Sequence, residues 1–235
     1  MGYMCTSAHY LNNIPLVVFT DTLYCIKTNQ ESMSLFKSLF SSNKTEKDFG
    51  IELFRALYEP NKQKVIELIQ REKIGIDDYL DSSNSNSILI NAVNCSSEFQ
   101  DSNEQLELID YLIDKKADVN WKNDDGFNAL HISLAYHNLS KTSLLLLRKG
   151  NPDVNIVEEK HGNSPIFTAI REYGLTWREE QKEVNQLRFE IIKELLNRGA
   201  ELDKINNHGI SARKWIERVS ENDKLHNLIN EFDKK

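Results

Sequence analysis

Three cysteines, several isolated histidines and two adjacent acid pairs are the side chains of this 235-residue chain that could do chemistry. Cys5, Cys25 and Cys95 are widely spaced and form no C-x-x-C pair. They read as free thiols in a reducing compartment, with one disulfide between two of them left open. His131, His137, His161 and His208 fall singly, and no His/Cys pair has zinc-ligand spacing, so no metal or cofactor is expected. Glu158-Glu159 and Glu179-Glu180 have the composition of a general acid–base pair, but adjacent acids on a soluble chain are ordinarily a solvated face. Asp124-Asp125-Gly126 opens like a calcium loop, yet the ligand positions that should follow are missing. Phosphate loops, nucleophile elbows and dinucleotide fingerprints are absent from the sequence. No catalytic residue is assigned, and the chain reads as a non-enzyme.

The composition describes a body that positions residues rather than one that reacts. At 40% hydrophobic and 28% charged, with 9 Gly and 4 Pro, it is globular and long enough for a sizeable core. The formal net charge of −7 argues against a nucleic-acid partner, because phosphate affinity comes from Lys and Arg releasing counterions. The most apolar stretch, Ile14–Ile26, is shorter than the ~20 residues of a bilayer span and contains Asp21. The first basic residue is Lys27, so the positive start of a signal peptide is missing. No membrane contact is expected and the location reads as cytoplasmic, unless a leader lies upstream.

Self-similarity gives the organisation. Asp124–His131 (DDGFNALH), Lys160–Phe167 (KHGNSPIF) and Asn207–Ala212 (NHGISA) each place Gly two residues before a small polar residue. The small polar residue is followed at once by Ala or Pro. Each segment alternates with an apolar helical run ending in a turn: Leu108–Asn120, Ser143–Asn155 and Ile191–Asp203. The small polar residue can cap a first helix. Gly at the end of the second helix would supply a left-handed C-cap, and the Asp and Asn after it would set up a hairpin loop.

This pattern resembles the ankyrin repeat, whose units read D-x-x-G-x-T-P-L-H and, after a second helix, G-A-D-V-N. Gly126-x-Asn128-Ala129-Leu130-His131 and Gly162-x-Ser164-Pro165-Ile166-Phe167 hold the first slot. Ala117–Asn120, Asp153–Asn155 and Gly199–Asp203 hold the second. The resemblance implies an all-α solenoid of helix-turn-helix units with hairpin fingers. It also implies that His131 hydrogen-bonds to the backbone of those fingers. Five units are expected, at 48–82, 83–122, 123–158, 159–206 and 207–235, the last a C-terminal cap without an onward turn. Residues 1–47 fall outside the repeat and read as an N-terminal helical cap. There, a capping box at Thr28–Glu31 precedes the stripe Met33, Leu35, Phe36, Leu39 and Phe40. The segment Pro15–Ile26 reads as a strand or a further helix. Extra residues separate the two helices of the second unit (Asn94–Glu104) and of the fourth (Gly174–Val184). They read as tolerated surface excursions or as part of a binding face, and the second could instead lengthen its helices.

The same resemblance implies a concave groove lined by the fingers and first helices, and therefore a folded protein partner. The fingers carry Asp77, Asp78, Asp81, Asp124, Asp125, Glu158 and Glu159 against Lys122, Lys160 and Lys204, a net −4 of the total −7. Trp and Tyr are typical interface anchors. The expected contact residues are accordingly Trp121, Asp124, Asp125, Tyr136, Glu158, Glu159, Tyr173 and Tyr79. A stand-alone chain with divergent repeats, rich in Asn, Lys and Ile, also resembles small bacterial ankyrin proteins found beside toxin genes. Members of that group act as immunity proteins. The expectation is thus a monomeric inhibitor that sequesters a toxin or enzyme, for which a basic toxin would suit the acidic fingers. A scaffold, adaptor or secreted effector that binds host proteins is the alternative.

Overall fold

The computed structural model describes residues 44–81, 84–221 and 223–234, with side chains from Phe49 onward. The expected helix after Thr28–Glu31 and the segment Pro15–Ile26 lie outside these residues. Among the described residues, ten α-helices follow one another in five pairs: α1 (Lys44–Tyr58) with α2 (Lys62–Glu72), α3 (Ile88–Val93) with α4 (Asn103–Asp114), α5 (Ala129–Ala135) with α6 (Ser140–Leu145), α7 (Pro165–Tyr173) with α8 (Lys182–Asn197), and α9 (Ala212–Ile216) with α10 (Lys224–Phe232). The odd-numbered helices pack in one row and the even-numbered in another, each against its neighbours in the row. No strand occurs among the described residues, only the isolated antiparallel bridges Leu80–Ser87 and Ile205–Ser211. This is the all-α solenoid the repeats predict.

The repeat residues start the first helices as expected. Ser87, Asn128, Ser164 and Ser211 accept hydrogen bonds from the backbone N–H groups of Ile90, His131, Phe167 and Lys214. Each such cap stabilises its helix by about 1 kcal/mol. The ends of the second helices differ from expectation at one place. Gly199 takes the left-handed conformation at the end of α8 (φ +83°), but the corresponding residue after α6 is Asn151 (φ +53°), not Gly150. The apolar pair Leu146-Leu147 lies one residue further from its turn than Leu195-Leu196 does. The extra residue is absorbed by a π-helical turn, Leu146–Gly150, which continues α6 and keeps both leucines buried.

The core divides at the third pair. Ala129, Leu139 and Leu146 belong to a cluster running back to Leu53. Leu130, Leu134, Leu144 and Leu147 belong to one running forward to Ile229. The two helices of this pair are short, at 7 and 6 residues. A short pair straddling two clusters needs support from elsewhere, and its neighbours supply it.

Candidate functional site

Each finger is closed by one buried side-chain acceptor at its base. Asn123 Oδ1 accepts the Phe127 N–H at 2.9 Å, and Asn206 Oδ1 accepts those of His208 and Ile210 at 3.0 Å. Asp81 Oδ1 accepts the Asn84 N–H at 2.9 Å. The Glu158 carboxylate accepts from His161 and Asn163 at 2.9–3.0 Å. Asp81 and Glu158 are therefore loop-closing groups facing inward. Their desolvation is offset by charge-assisted bonds, so they add little to an acidic outer face. The fingers are also tied to one another. Asn123 Nδ2 donates to Asn86 Oδ1, Asn84 Nδ2 to Asp125 Oδ2, and Asn206 Nδ2 to Asn163 Oδ1, all at 2.8–2.9 Å. The backbone N–H of Asp124 donates to Asn84 O and that of Asn207 to His161 O.

Counting back from these acceptors separates the finger arms into two sets, as the alternation of extended backbone requires. Two residues before lie Tyr79, Trp121, Ile156 and Lys204; one before lie Leu80, Lys122, Val157 and Ile205. Tyr79 sits edge-on to Phe49, and burial, with Asp81 nearby, pushes its hydroxyl pKa up to about 12. Trp121 packs on the first core cluster and donates from Nε1 to Ser85 O at 2.8 Å. Leu80 and Ile205, by contrast, are 37% and 66% exposed. Leu80 adjoins the expected anchor Tyr79, and Ile205 takes the same register position in the last finger.

The remaining expected contacts divide by burial. Asp124, Asp125 and Glu159 are exposed at the finger tips, with Lys122 Nζ 3.5 Å from Glu159. Tyr136 is half-buried at the end of α5. Tyr173 and Glu158 are each 2% exposed, so both are withdrawn from the contact surface. Tyr173 donates its hydroxyl to Asp223 at 2.6 Å, joining α7 to the start of α10. His131 is buried; its Nδ1 accepts the Asn128 N–H and its Nε2 donates to Ile156 O at 3.0 Å. Desolvation lowers its pKa to about 4, against the smaller upward pull of Ile156 and Glu158. The imidazole is a neutral bracket between helix and finger.

The first insertion, and the helix into which the second one leads, both reach the third pair. The first carries a 3-10 turn, Ser97–Phe99, and Asp101 at φ +57°. The Asp101 carboxylate accepts the N–H groups of Lys141 and Thr142 at 2.7 and 2.8 Å and so caps α6. The second lengthens α8 to 16 residues and places Arg188, fully buried, against the other end of the pair. Its guanidinium donates to Leu134 O, an open carbonyl at the end of α5, at 2.5 Å, and to Tyr136 O, which also accepts the Leu139 N–H. Beside it, Glu172 lies 3.0 Å from His137 Nε2 and 2.9 Å from Arg171 Nη2. Burial would raise the Glu172 carboxyl pKa, but the His137 bond and the Arg171 and Arg188 charges hold it below the usual range. The rest of the second insertion leaves Leu175 and Trp177 50% and 77% exposed. Neither was expected as a contact. The one sequence signal for them is a pair of large apolar residues in a charged run.

Residues 99–206 match the family model for ankyrin repeats, in three copies. No curated protein matches the chain. Paired helices extend this pattern on both sides of the matched segment, and the fold is an ankyrin-repeat solenoid, generally a non-catalytic protein-binding module. No described helix is long and apolar enough to cross a membrane, and among the described residues no group of three or more His, Cys, Asp or Glu is arranged to hold a metal.

Proposed function

We propose that this chain is a non-catalytic inhibitor of the immunity type, a cytoplasmic monomer that sequesters one folded and basic protein on its finger face. The observation that carries the proposal is the finger row itself. Leu80 and Ile205 expose apolar surface in equivalent register positions, beside the exposed tip acids Asp124, Asp125 and Glu159. The ties between fingers mean that a partner meets a preorganised surface, which lowers the ordering cost of binding. The acids favour encounter with a basic surface and discriminate against acidic ones. Trp121 and Tyr79 support the row from beneath rather than forming its outermost contacts.

The test is capture of the partner from the native organism, followed by co-expression of the pair and binding measurements at two salt concentrations. The proposal expects a toxic or enzymatic partner whose activity is lost in a one-to-one complex. A triple reversal, Asp124→Lys, Asp125→Lys and Glu159→Lys, should slow association and flatten its salt dependence. Ile205→Asp should speed dissociation. A partner that stays fully active when bound would overturn the inhibitor role and favour a scaffold or adaptor. Unchanged binding in both variants would move the interface off the fingers.

A further inference from the structure

We propose that the last two fingers form a two-histidine site for one divalent first-row transition ion of the zinc, nickel or copper class. His161 and His208 lie 47 residues apart, yet His161 Nδ1 is 3.2 Å from His208 Nε2. Their ring centroids are 5.4 Å apart and the planes differ by 31°. Two imidazole nitrogens bound to zinc at ~2.0–2.1 Å and at the tetrahedral angle are about 3.3 Å apart. The observed spacing is already the bite of a chelate.

The backbone beneath the rings holds that bite. The His161 N–H is fixed by the buried Glu158 carboxylate at 2.9–3.0 Å, and the His208 N–H by Asn206 Oδ1 at 3.0 Å. The two loops are joined by the bond from Asn207 N to His161 O, 2.8 Å. Each histidine thus sits on a closed loop, and the two loops are bound to each other. Side-chain torsions are what remains to adjust. The pair shares one hydrogen bond, so one of the facing nitrogens carries a proton and the other presents a lone pair. Metal binding needs both lone pairs and a turn of the rings toward a common point. The shared proton must then leave the facing nitrogen for the far nitrogen of its own ring, Nε2 of His161 or Nδ1 of His208. His208 is exposed and His161 half-buried, so the remaining coordination positions face water. Imidazole ligands suit zinc, nickel and copper and disfavour magnesium or calcium, which prefer oxygen.

The site is tested by calorimetric titration of the full chain with zinc and nickel chlorides, and with magnesium chloride as the contrast. One equivalent of zinc or nickel should bind and no magnesium. Either His161→Ala or His208→Ala should weaken binding at least about tenfold, since even outer-shell partners of a metal ligand cost that much. Zinc should raise the thermal midpoint of the parent chain but not of the variants. The imidazole proton resonances of both histidines should broaden together on adding nickel. His208→Gln, at an exposed position, keeps the backbone tie to Asn206 and serves as a folded control that still loses binding. Two results would overturn the site: no stoichiometric uptake by the parent chain, or equal uptake by the His161→Ala, His208→Ala double variant.

Discussion

Arg188→Met removes the one side chain that closes the open end of α5. Leu134 O loses its donor, while Tyr136 O keeps the Leu139 N–H at 3.2 Å. A buried acceptor left unsatisfied costs about 1–3 kcal/mol, so Leu134 O sets the gross loss at ~1–3 kcal/mol. Part of this returns, because the guanidinium is itself held at a cost: burial lowers its pKa to about 10, only partly countered by Glu172 and Asp101. Met fills a similar volume without that desolvation, which places the net loss near the lower end, at about 1–2 kcal/mol. Glu172 should also change. With the Arg188 charge gone, its carboxyl pKa moves upward toward the unfolded value, so its share of the acid sensitivity shrinks. Arg188→Lys should fall between, since one ammonium cannot reproduce a planar fork reaching two carbonyls. The assay is urea unfolding followed by far-ultraviolet circular dichroism, with exposed Lys182→Ala on the same helix as control. A midpoint for Arg188→Met within about 0.5 kcal/mol of that control would refute the reasoning, because that is the range of an ordinary surface substitution.

Asp101→Gly keeps the left-handed backbone but removes the carboxylate that caps α6, and should cost about 1 kcal/mol in the same unfolding assay. His131, with a folded pKa near 4 against an ordinary 6.5, binds fewer protons folded than unfolded between those values. Its contribution is therefore complete above about pH 6.5 and is lost as pH falls toward 4, by ~3 kcal/mol at most. His131→Gln should be less stable at pH 7 and show a flatter dependence between pH 6.5 and 4 in urea midpoints. Deleting Gly150 should convert the π-helical turn to a regular α-helical end and leave the thermal midpoint unchanged or raised. Loss of the cooperative transition would mean that the extra residue is structurally required.

What the sequence made legible was what it encodes locally. The caps at Asn128, Ser164 and Ser211 and the apolar runs of the second helices are short-range patterns, and they recur often enough to define the solenoid. Roles set by register were harder to read. Glu158 and Glu159 are neighbours of one type, yet one closes a loop inside the finger and the other stands in water at the start of the turn. Trp121, expected as a contact, packs half-buried on the core, whereas Ile205, for which no role was expected, is exposed. Gly150 looks like a helix-ending glycine until the extra residue before the turn is counted. Least legible were contacts between units, because the solenoid brings together residues 41 to 54 positions apart. Asp101 on α6, Arg188 on α5 and His161 beside His208 each join adjacent repeats. Read along the chain, they are a loop acid, a helix cation and two isolated histidines. Their meaning comes from the stacking of each repeat on the next. Asp101, inside the first insertion, and Arg188, on the helix that the second one leads into, hold the short third pair in place, so part of the sequence's irregularity stabilises the solenoid rather than decorating it.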